Sequence, residues 1–229
     1  MEPVDCFVGL RFYFMRASEQ RDEDVQAFIM AELQHEDFQE SWLAAQELYN
    51  PQRVYGPRKY HPDLTQEQCW ALTCYTLHRP KIHDKFKMDC RSAQPTQESW
   101  QQFRFKGLWC LLVGAFRRLP NYEGGTTKFY RGMQEEETFE RGELKEFVHF
   151  VSASYSRHEA TKFSKPRGNI LTLTGVPPEY VRSIKNFAEF KFHDEVLIWP
   201  LCTYRCADAP EKIFEFLKGE LPPREVRML

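Results

Sequence analysis

The spacing of the hydrophobic residues changes near residue 121, and this change restricts the chain to a mixed fold. Up to about residue 120, apolar residues mostly recur three or four positions apart, as in amphipathic helices. Beyond residue 128, short apolar runs alternate with glycine and proline, which is typical of β-strands. Helices followed by strands predict the α+β class. Because no flexible linker marks the junction, we expect the 229 residues to form a single domain.

The expected domain has three successive parts. These are a mainly helical part in residues 1–120, a β core in residues 121–206, and a C-terminal helix and tail in residues 207–229. Asp63 or Thr65 is the predicted N-cap of one helix, and the spacing of Thr65 and Gln68 fits a capping box. Residues 50–62 contain prolines and are predicted to be a loop. Helices are predicted over residues 22–48, from about 65 to 77, and over 81–93 and 97–119.

The second half contains several short segments with strand character. They are rich in aromatic and β-branched residues and are separated by turn-forming residues. Short helices are expected between some of them. Strands are predicted over residues 129–130, 148–154, 170–173, 188–192 and 196–205, and helices over residues 157–163, 180–186 and 209–218.

The composition excludes several classes of protein. Hydrophobic residues make up 42% and aromatic residues 15%, which indicates a globular interior rather than disorder. The 31 basic and 33 acidic residues give a net charge of −2, so the balance does not indicate nucleic-acid binding. No run approaches the roughly 18 apolar residues that a membrane span needs.

The same features suggest a compartment and an oxidation state. The N-terminal residues are acidic before they are apolar, which is a poor secretory signal, so we expect a cytoplasmic protein. A secreted protein is the alternative if the chain is a processed form. Seven scattered cysteines favour free thiols over a disulfide framework. We expect a monomer that holds no metal.

An acidic pair, Asp194 and Glu195, stands directly before the apolar run 196–199, which Pro200 ends. Such a run is predicted to be a buried strand. A carboxylate at the mouth of a buried strand costs free energy to keep charged, so a functional role is plausible there. The alternative is an ordinary strand end that faces water.

Three short motifs follow one another in the second half. The first is an arginine and a glycine, Arg131 and Gly132, at the end of a predicted strand. The second is a strand on which Ser152 and Ser154 share one face, because side chains alternate along a strand. The third is the sequence from His193 to Glu195. Each motif alone is common in proteins that lack any shared function.

Together, in this order and spacing, the motifs resemble the R-S-E signature of the arginine-type mono-ADP-ribosyltransferases. The resemblance is to the branch that includes the vertebrate ecto-ADP-ribosyltransferases, and it covers roughly residues 64–206. It implies a helical N-terminal part and a core of two packed β-sheets that holds NAD in a cleft. Further similar segments are residues 71–76 with Phe86, residues 103–119, residues 160–163 and residues 195–200.

The resemblance also implies roles for individual residues, with NAD as the substrate. Glu195 would stabilise the cationic ribose and bind its 2′-hydroxyl. Arg131 would hold the NAD diphosphate, and Ser152 would orient Glu195. Phe163 would stack near the nicotinamide, and the backbone of Gly132 would contact the nicotinamide amide.

The sequence departs from the arginine-specific pattern at His193. Arginine-specific members carry Glu-x-Glu, and the first glutamate is thought to engage the acceptor guanidinium. An imidazole cannot pair with a guanidinium as a carboxylate does. His193, Phe190 and Phe187 are therefore the candidates for an acceptor site of altered specificity. The alternatives are that His193 is a surface residue and that Phe190, together with Phe192, belongs to the core.

Three functions are compatible with this pattern. The first is transfer of ADP-ribose from NAD to a side chain of an unidentified acceptor protein. The second is NAD glycohydrolysis, in which water is the acceptor. The third is a degenerate member that binds a partner or NAD without turnover. The presence of Arg131, Ser152 and Glu195 argues against the third, and His193 favours the second somewhat.

Overall fold

A computed structural model describes residues 6–53, 58–77, 82–134, 136–164, 168–188 and 194–219. The chain divides into two compact units. One contains Met1–Leu119 together with Asn186–Glu189, and the other contains Pro120–Lys185 together with Phe190–Leu229. The first is helical and the second is built on a β-sheet, which confirms the predicted α+β class with helices first.

The helical unit surrounds a core of large aromatic side chains. Tyr13, Phe38, Phe86, Phe105 and Trp109 are all nearly or completely buried. Fully burying such a side chain contributes about 1.5–3 kcal/mol. The helices are α1 (Cys6–Glu19), α2 (Asp22–Glu32), α3 (Glu36–Glu47), α4 (Gln66–Thr76), α5 (Ile82–Arg91), α6 (Gln97–Gln102) and α7 (Lys106–Arg118).

The start of α4 confirms the predicted cap. Thr65 is the N-cap, and its hydroxyl oxygen accepts the backbone N–H of Gln68 at 3.2 Å. The Gln68 side chain in turn accepts the Thr65 N–H at 3.1 Å. This reciprocal pair satisfies two N–H groups that a helix start leaves without intrahelical partners.

The predicted long helix over residues 97–119 is two helices, α6 and α7. The chain leaves helical geometry at Phe103 and Phe105, which expose only 4% and 0% of their surface. The interruption between α6 and α7 therefore coincides with the burial of these two aromatic rings. The buried Glu32 carboxylate then accepts the backbone N–H groups of Gly107 and Leu108 in the first turn of α7. A carboxylate at this end is also favoured by the helix dipole.

The described residues of the second unit form a short α-helix and a mixed sheet. The helix α8 (Arg157–Phe163) is confirmed where it was predicted, with Ser156 as its N-cap. The described strands form the order β2-β7-β8-β4-β1-β3-β6-β5. They are β1 (Phe129–Gly132), β2 (Leu144–Phe147), β3 (Val151–Ser154), β4 (Ile170–Thr174), β5 (Val181–Ser183), β6 (Glu195–Ile198), β7 (Cys202–Asp208) and β8 (Ile213–Gly219).

The sheet consists of a five-strand and a three-strand part joined at one point. Strands β1 and β3 share the single registered pair Tyr130 and Ser154, whereas β1 and β4 share four pairs. Buried side chains from both parts, such as Phe129, Val151 and Phe214, form one hydrophobic cluster. The expected pair of packed sheets is thus present as two parts of one hydrogen-bonded sheet.

The predicted strand over residues 196–205 is two strands, one in each part of the sheet. Pro200 interrupts it, because proline has no N–H to donate to a ladder. Leu201 follows with a φ of 61°, a left-handed conformation that side chains rarely adopt. Its N–H donates to Phe147 O at 2.9 Å, so the conformation is held by the neighbouring chain.

Two predicted helices are wrong. The segment 180–186 contains β5, which pairs with β6, after a single 3-10 turn at Pro178–Tyr180. The predicted C-terminal helix over residues 209–218 is instead mostly β8, which pairs with β7 and β4. Partner strands on both sides provide hydrogen bonds that outweigh the local helix preference. Strand β2 was not predicted.

Other expectations have mixed outcomes. Residues 189–192 of the predicted strand 188–192 lie outside the described residues, and Ala188 itself lies in a bend. Within the ranges that the structure describes, no helix is long and apolar enough to cross a membrane. Free and buried thiols are found for Cys69, Cys74, Cys90, Cys110, Cys202 and Cys206.

Candidate active site

Arg131, Ser152 and Glu195 lie on three neighbouring strands of the second unit. They belong to β1, β3 and β6, which are adjacent in the sheet. Residues far apart in sequence are brought together here by strand pairing alone. The three motifs of the sequence therefore form one cluster.

The ladder between β3 and β6 separates core residues from polar residues. Val151, Ala153, Val196 and Ile198 belong to the hydrophobic cluster of this unit. Because side chains alternate along a strand, Ser152, Ser154 and Glu195 lie on the opposite face. The hydrophobic face thus fixes the register that presents the serine and glutamate side chains together.

Ser152 and Glu195 are joined directly through their side chains. The Ser152 hydroxyl donates a hydrogen bond to Glu195 Oε1. A hydrogen bond to an ionised carboxylate is stronger than a neutral one. It also fixes the direction in which the other carboxylate oxygen points. The Glu195 residue as a whole is only partly buried.

Arg131 contacts the same strand as Ser152. Its Nη1 donates to the backbone oxygen of Ser152 at 3.1 Å. Its guanidinium carbon lies 6.0 Å from the centre of the Phe147 ring, at the limit of a cation–π contact. These two contacts hold the positively charged guanidinium beside strand β3. Such a fork suits the oxygens of a phosphate.

Gly132 lies where α8 packs closely on β1. A Cβ atom at this position would lie 2.3 Å from Ala160 O and 3.0 Å from the Cβ of Phe163. Neither backbone oxygen nor Cβ can yield easily, so this packing requires glycine. Phe163 ends α8 and is half-buried. Gly132 and Phe163, both predicted site residues, are therefore in close contact.

Asp194 has partners of its own and does not duplicate Glu195. Its Oδ1 lies 3.8 Å from Lys185 Nζ, and its side chain hydrogen-bonds with Tyr155. Burial, this hydrogen bond and the charge of Asp194 raise the pKa of Tyr155 to about 12. Sequence reasoning missed Lys185 and Tyr155, because only the strand register brings them to Asp194.

The predicted acceptor-site residues are only partly covered by the structure. His193 and Phe190 lie outside the described residues. Phe187 belongs to the helical unit and exposes 2% of its surface, with its ring 6.3 Å from that of His61. Its side chain is therefore core and does not form a docking surface, which corrects that part of the prediction.

No group of three or more histidine, cysteine, aspartate or glutamate residues that could hold a metal occurs in the described parts of the chain. The polar cluster at the sheet consists of a guanidinium, a hydroxyl and a carboxylate. Such a set can bind an anion on one side and stabilise a cation on the other.

The fold is that of the mono-ADP-ribosyltransferases. The crystal structure of the eukaryotic mono-ADP-ribosyltransferase ART2.2 superposes with a TM-score of 0.68 at 20% sequence identity, covering 87% of this chain and 86% of that chain. Exoenzyme S from Pseudomonas aeruginosa matches with a TM-score of 0.50 at 16% identity, covering 90% and 95%. A comparison with curated protein sequences gives no match.

The sequence identifies the family itself. The model of the NAD:arginine ADP-ribosyltransferases matches residues 14–213, which is most of the chain. The protein belongs to this family, as the sequence motifs predicted. It is an NAD-dependent ADP-ribosyltransferase, with NAD as the donor of ADP-ribose.

Proposed function

We propose that the protein cleaves the bond between nicotinamide and ribose in NAD and transfers ADP-ribose to a protein side chain. Glu195 is the catalytic carboxylate of this reaction. The observation that supports the proposal most is the hydrogen bond from the Ser152 hydroxyl to Glu195 Oε1. It holds the carboxylate in place through one of its two oxygens.

The chemistry accounts for a carboxylate rather than a strong acid. When the glycosidic bond breaks, its electron pair leaves with nicotinamide, which departs neutral. The anomeric carbon becomes an oxocarbenium-like cation, which a preorganised negative charge stabilises more than it stabilises the ground state. A nucleophile of the acceptor then bonds to that carbon and loses its proton.

The other residues of the cluster bind and orient NAD in this proposal. Arg131 provides a charged fork for the diphosphate oxygens. Ser152 orients Glu195 through this hydrogen bond and is not assigned the role of nucleophile, because no motif of the sequence places a histidine beside it to activate it. Gly132 contributes its backbone to the nicotinamide amide, and Phe163 packs near the ring.

The residue at position 193 is the basis for the acceptor that we propose. A glutamate there would pair with the guanidinium of an arginine, whereas His193 cannot provide that pair. Asp194 is not a substitute, because its carboxylate contacts Lys185 and Tyr155. We therefore propose a side chain other than arginine as the acceptor. Water is the second candidate, since the same histidine removes the group that would hold a guanidinium in place.

The matched pair Glu195→Gln and Asp194→Asn tests the catalytic assignment. Both changes replace a carboxylate with the amide of the same shape at neighbouring positions. Glu195→Gln is expected to lower nicotinamide release by about 100-fold or more, since one charge supplies a few kcal/mol to the transition state. Asp194→Asn should change it by no more than about fivefold. If Glu195→Gln releases nicotinamide at a rate within a few-fold of wild type, the assignment of Glu195 as the catalytic carboxylate is wrong.

The fate of the ADP-ribose separates transfer from hydrolysis. NAD labelled in its ADP-ribose part is incubated with the protein and with a native extract. Label on protein supports transfer, and mass spectrometry then gives the modified residue type. Free ADP-ribose without labelled protein supports the glycohydrolase. Absence of nicotinamide release from folded protein under all conditions would support a degenerate member.

The variant His193→Glu tests the acceptor argument. It restores the Glu-x-Glu pattern of arginine-specific members. Gain of label on agmatine, a small guanidine, is expected for this variant and not for wild type. An unchanged acceptor profile would count against the role given to position 193.

A further inference from the structure

The ring of Phe147 lies beside the guanidinium of Arg131, although their strands are far apart in the sheet order. Phe147 ends β2 and Arg131 lies in β1, and these are the two outer strands of the five-strand part of the sheet. The guanidinium carbon is nevertheless 6.0 Å from the centre of the ring. A cation over the face of an aromatic ring is attracted by its negative face. The contact is therefore made by the fold of the β unit and not by strand pairing.

The Phe147 ring is held in place by its neighbours in the core. It exposes 4% of its surface and belongs to the hydrophobic cluster of the β unit. The fully buried Tyr204 ring meets it edge to face, with centroids 5.4 Å apart and an angle of 76° between the planes. The His149 ring lies 6.4 Å away at an angle of 62°. Because these neighbours leave the ring little freedom, it offers the guanidinium a fixed surface.

The backbone of Phe147 is held by the chain that leaves the catalytic strand. Leu201 comes three residues after the end of β6, and its N–H donates to Phe147 O at 2.9 Å. Leu201 has a φ of 61°, a conformation that persists only where the surroundings hold it. The other end of β6 carries Glu195. Phe147 thus contacts both Arg131 and the chain that continues from the strand of Glu195.

Arg131 has one restraint from a hydrogen bond and a second from the Phe147 ring. Its Nε atom is buried, and its Nη1 donates to Ser152 O at 3.1 Å. The ring restrains the plane of the same guanidinium. An aromatic face does this without neutralising the positive charge, whereas a carboxylate competes with a phosphate for the same N–H groups. Such a partner suits an arginine whose charge binds an anion.

We propose that Phe147 is a positioning residue for the NAD diphosphate: its ring holds the Arg131 guanidinium in the orientation that binds the phosphate oxygens. The proposal rests on the function proposed above, in which Arg131 binds the diphosphate. Phe147 itself is assigned no contact with NAD. A guanidinium that is oriented before NAD arrives loses less freedom on binding, so the ring should raise the affinity for NAD. The ring should have little effect on cleavage once NAD is bound.

The variant Phe147→Leu and the matched control Phe139→Leu test the proposal. Leucine keeps an apolar side chain and removes the aromatic face. Phe139 packs against the same hydrophobic cluster, its ring meets that of Phe214 edge to face at 5.0 Å, and Lys145 Nζ lies over it at 5.2 Å. Both substitutions therefore remove a ring that packs edge to face and that lies under a cation. The cation is Arg131 in the test variant and Lys145 in the control.

Two ligands separate the diphosphate site from the rest of the enzyme. ADP-ribose carries the diphosphate, and nicotinamide does not. Phe147→Leu should raise the Kd of ADP-ribose, measured by titration calorimetry, and the KM for NAD by about three- to tenfold. The kcat for nicotinamide release and the inhibition constant of nicotinamide should stay within about twofold. In Phe139→Leu, all four values should stay within about twofold of wild type.

A double-mutant cycle checks that the effect of the ring passes through Arg131. In an Arg131→Lys background, Phe147→Leu should raise the Kd of ADP-ribose by about twofold or less, because a lysine ammonium has no plane that stacks on the ring. If Phe147→Leu does not fold, Phe147→Met takes its place, since methionine fills irregular space in a core without an aromatic face. Urea unfolding shows which variants are folded under the assay conditions.

The outcomes that overturn the proposal are distinct from those that contradict the proposed function. The proposal is overturned if the folded Phe147 variant binds ADP-ribose as wild type does, if the control weakens binding equally, or if the effect is as large in the Arg131→Lys background. It is also overturned if wild type does not bind ADP-ribose. Calorimetry needs no turnover, so the binding test remains decisive even if wild type releases no nicotinamide. Glu195-dependent release by wild type, with unchanged ADP-ribose binding in the Phe147 variant, would leave the proposed function intact.

Discussion

Ser152 donates its hydroxyl hydrogen to Glu195 across a diagonal of the sheet, although the residue directly opposite Glu195 is Ser154. Ser152 itself stands opposite Leu197. The Ser154 hydroxyl donates instead to Asp194 O at 3.0 Å and accepts the Ser156 N–H at 3.0 Å. The two serines of one strand face thus have different tasks. One orients a carboxylate and the other holds backbone.

This difference predicts that the two alanine variants change different properties of the enzyme. Ser152→Ala should lower kcat for nicotinamide release about tenfold or more, because Glu195 loses a hydrogen bond worth about 1.5–3 kcal/mol. Ser154→Ala should leave kcat within a few-fold. It should instead lower the free energy of unfolding by about 1 kcal/mol, since two backbone groups lose their partner. Steady-state kinetics and urea unfolding of both variants check this, and equal kinetic effects would contradict it.

Arg131→Lys is expected to weaken NAD binding more than the chemical step. Lysine keeps the charge but lacks the planar fork that reaches Ser152 O and that, in the proposed function, binds two phosphate oxygens. Loss of one such contact corresponds to a rise of about tenfold in the KM for NAD. Initial rates over a range of NAD concentrations measure both parameters. An unchanged KM with a lower kcat would show that Arg131 acts mainly through Ser152.

Gly132→Ala should destabilise the fold even in the absence of NAD. The added Cβ would lie 2.3 Å from Ala160 O and 3.0 Å from Ser164 N, so α8 must move away from β1. Overpacking of this kind typically costs about 1–3 kcal/mol. The predicted change is a lower urea midpoint together with reduced nicotinamide release.

Gly114→Ala provides the comparison. There the added Cβ would meet the amide nitrogen of Gln68 at 2.7 Å, which is the end of a side chain rather than backbone, although the Gln68 amide oxygen accepts the Thr65 N–H. Alanine is favoured over glycine inside a helix by about 0.8–1 kcal/mol, which partly offsets that contact. The urea midpoint should therefore fall less than in Gly132→Ala. If both variants unfold at the wild-type midpoint, the packing argument for Gly132 fails.

Features that depend on neighbouring residues could be predicted from the sequence. The capping box of Thr65 and Gln68 forms within one helical turn, so a four-residue pattern was enough to find it. The helix that Ser156 caps is similarly local. The cluster of Arg131, Ser152 and Glu195 was found through the family resemblance. Periodicity alone does not reveal that β1, β3 and β6 are neighbours in the sheet.

Features that depend on distant partners could not be predicted. The β8 strand was predicted to be a helix because its residues tolerate a helix locally, yet β4 and β7 flank it in the sheet. The missed β2 strand pairs only with β7, its single described neighbour at the sheet edge. Phe187 was predicted to face an acceptor, but Arg58 binds its carbonyl from far along the chain. In each case a long-range hydrogen bond decided the outcome.

Glu32 makes the stability of the protein depend on pH in an unusual direction. It exposes 4% of its surface and accepts the N–H groups of Gly107 and Leu108. Burial raises the pKa of its carboxyl from 4.5 to about 8, against the opposing effect of those two donors. The folded protein therefore binds this proton more tightly than the unfolded chain does. The resulting stabilisation is fully present below about pH 4.5 and is lost as the pH rises through about 8.

The variant Glu32→Gln should remove this pH-dependent stabilisation, while its amide oxygen can still accept an N–H. Between pH 5 and 8, the free energy of unfolding of wild type should fall relative to the variant, by at most about 1.4 kcal/mol per pH unit. Urea unfolding of both proteins at a series of pH values measures the difference, in which the contributions of other titrating groups cancel. Parallel curves for the two proteins would mean that Glu32 stays ionised when folded, and that the two N–H donors and the α7 dipole outweigh its burial.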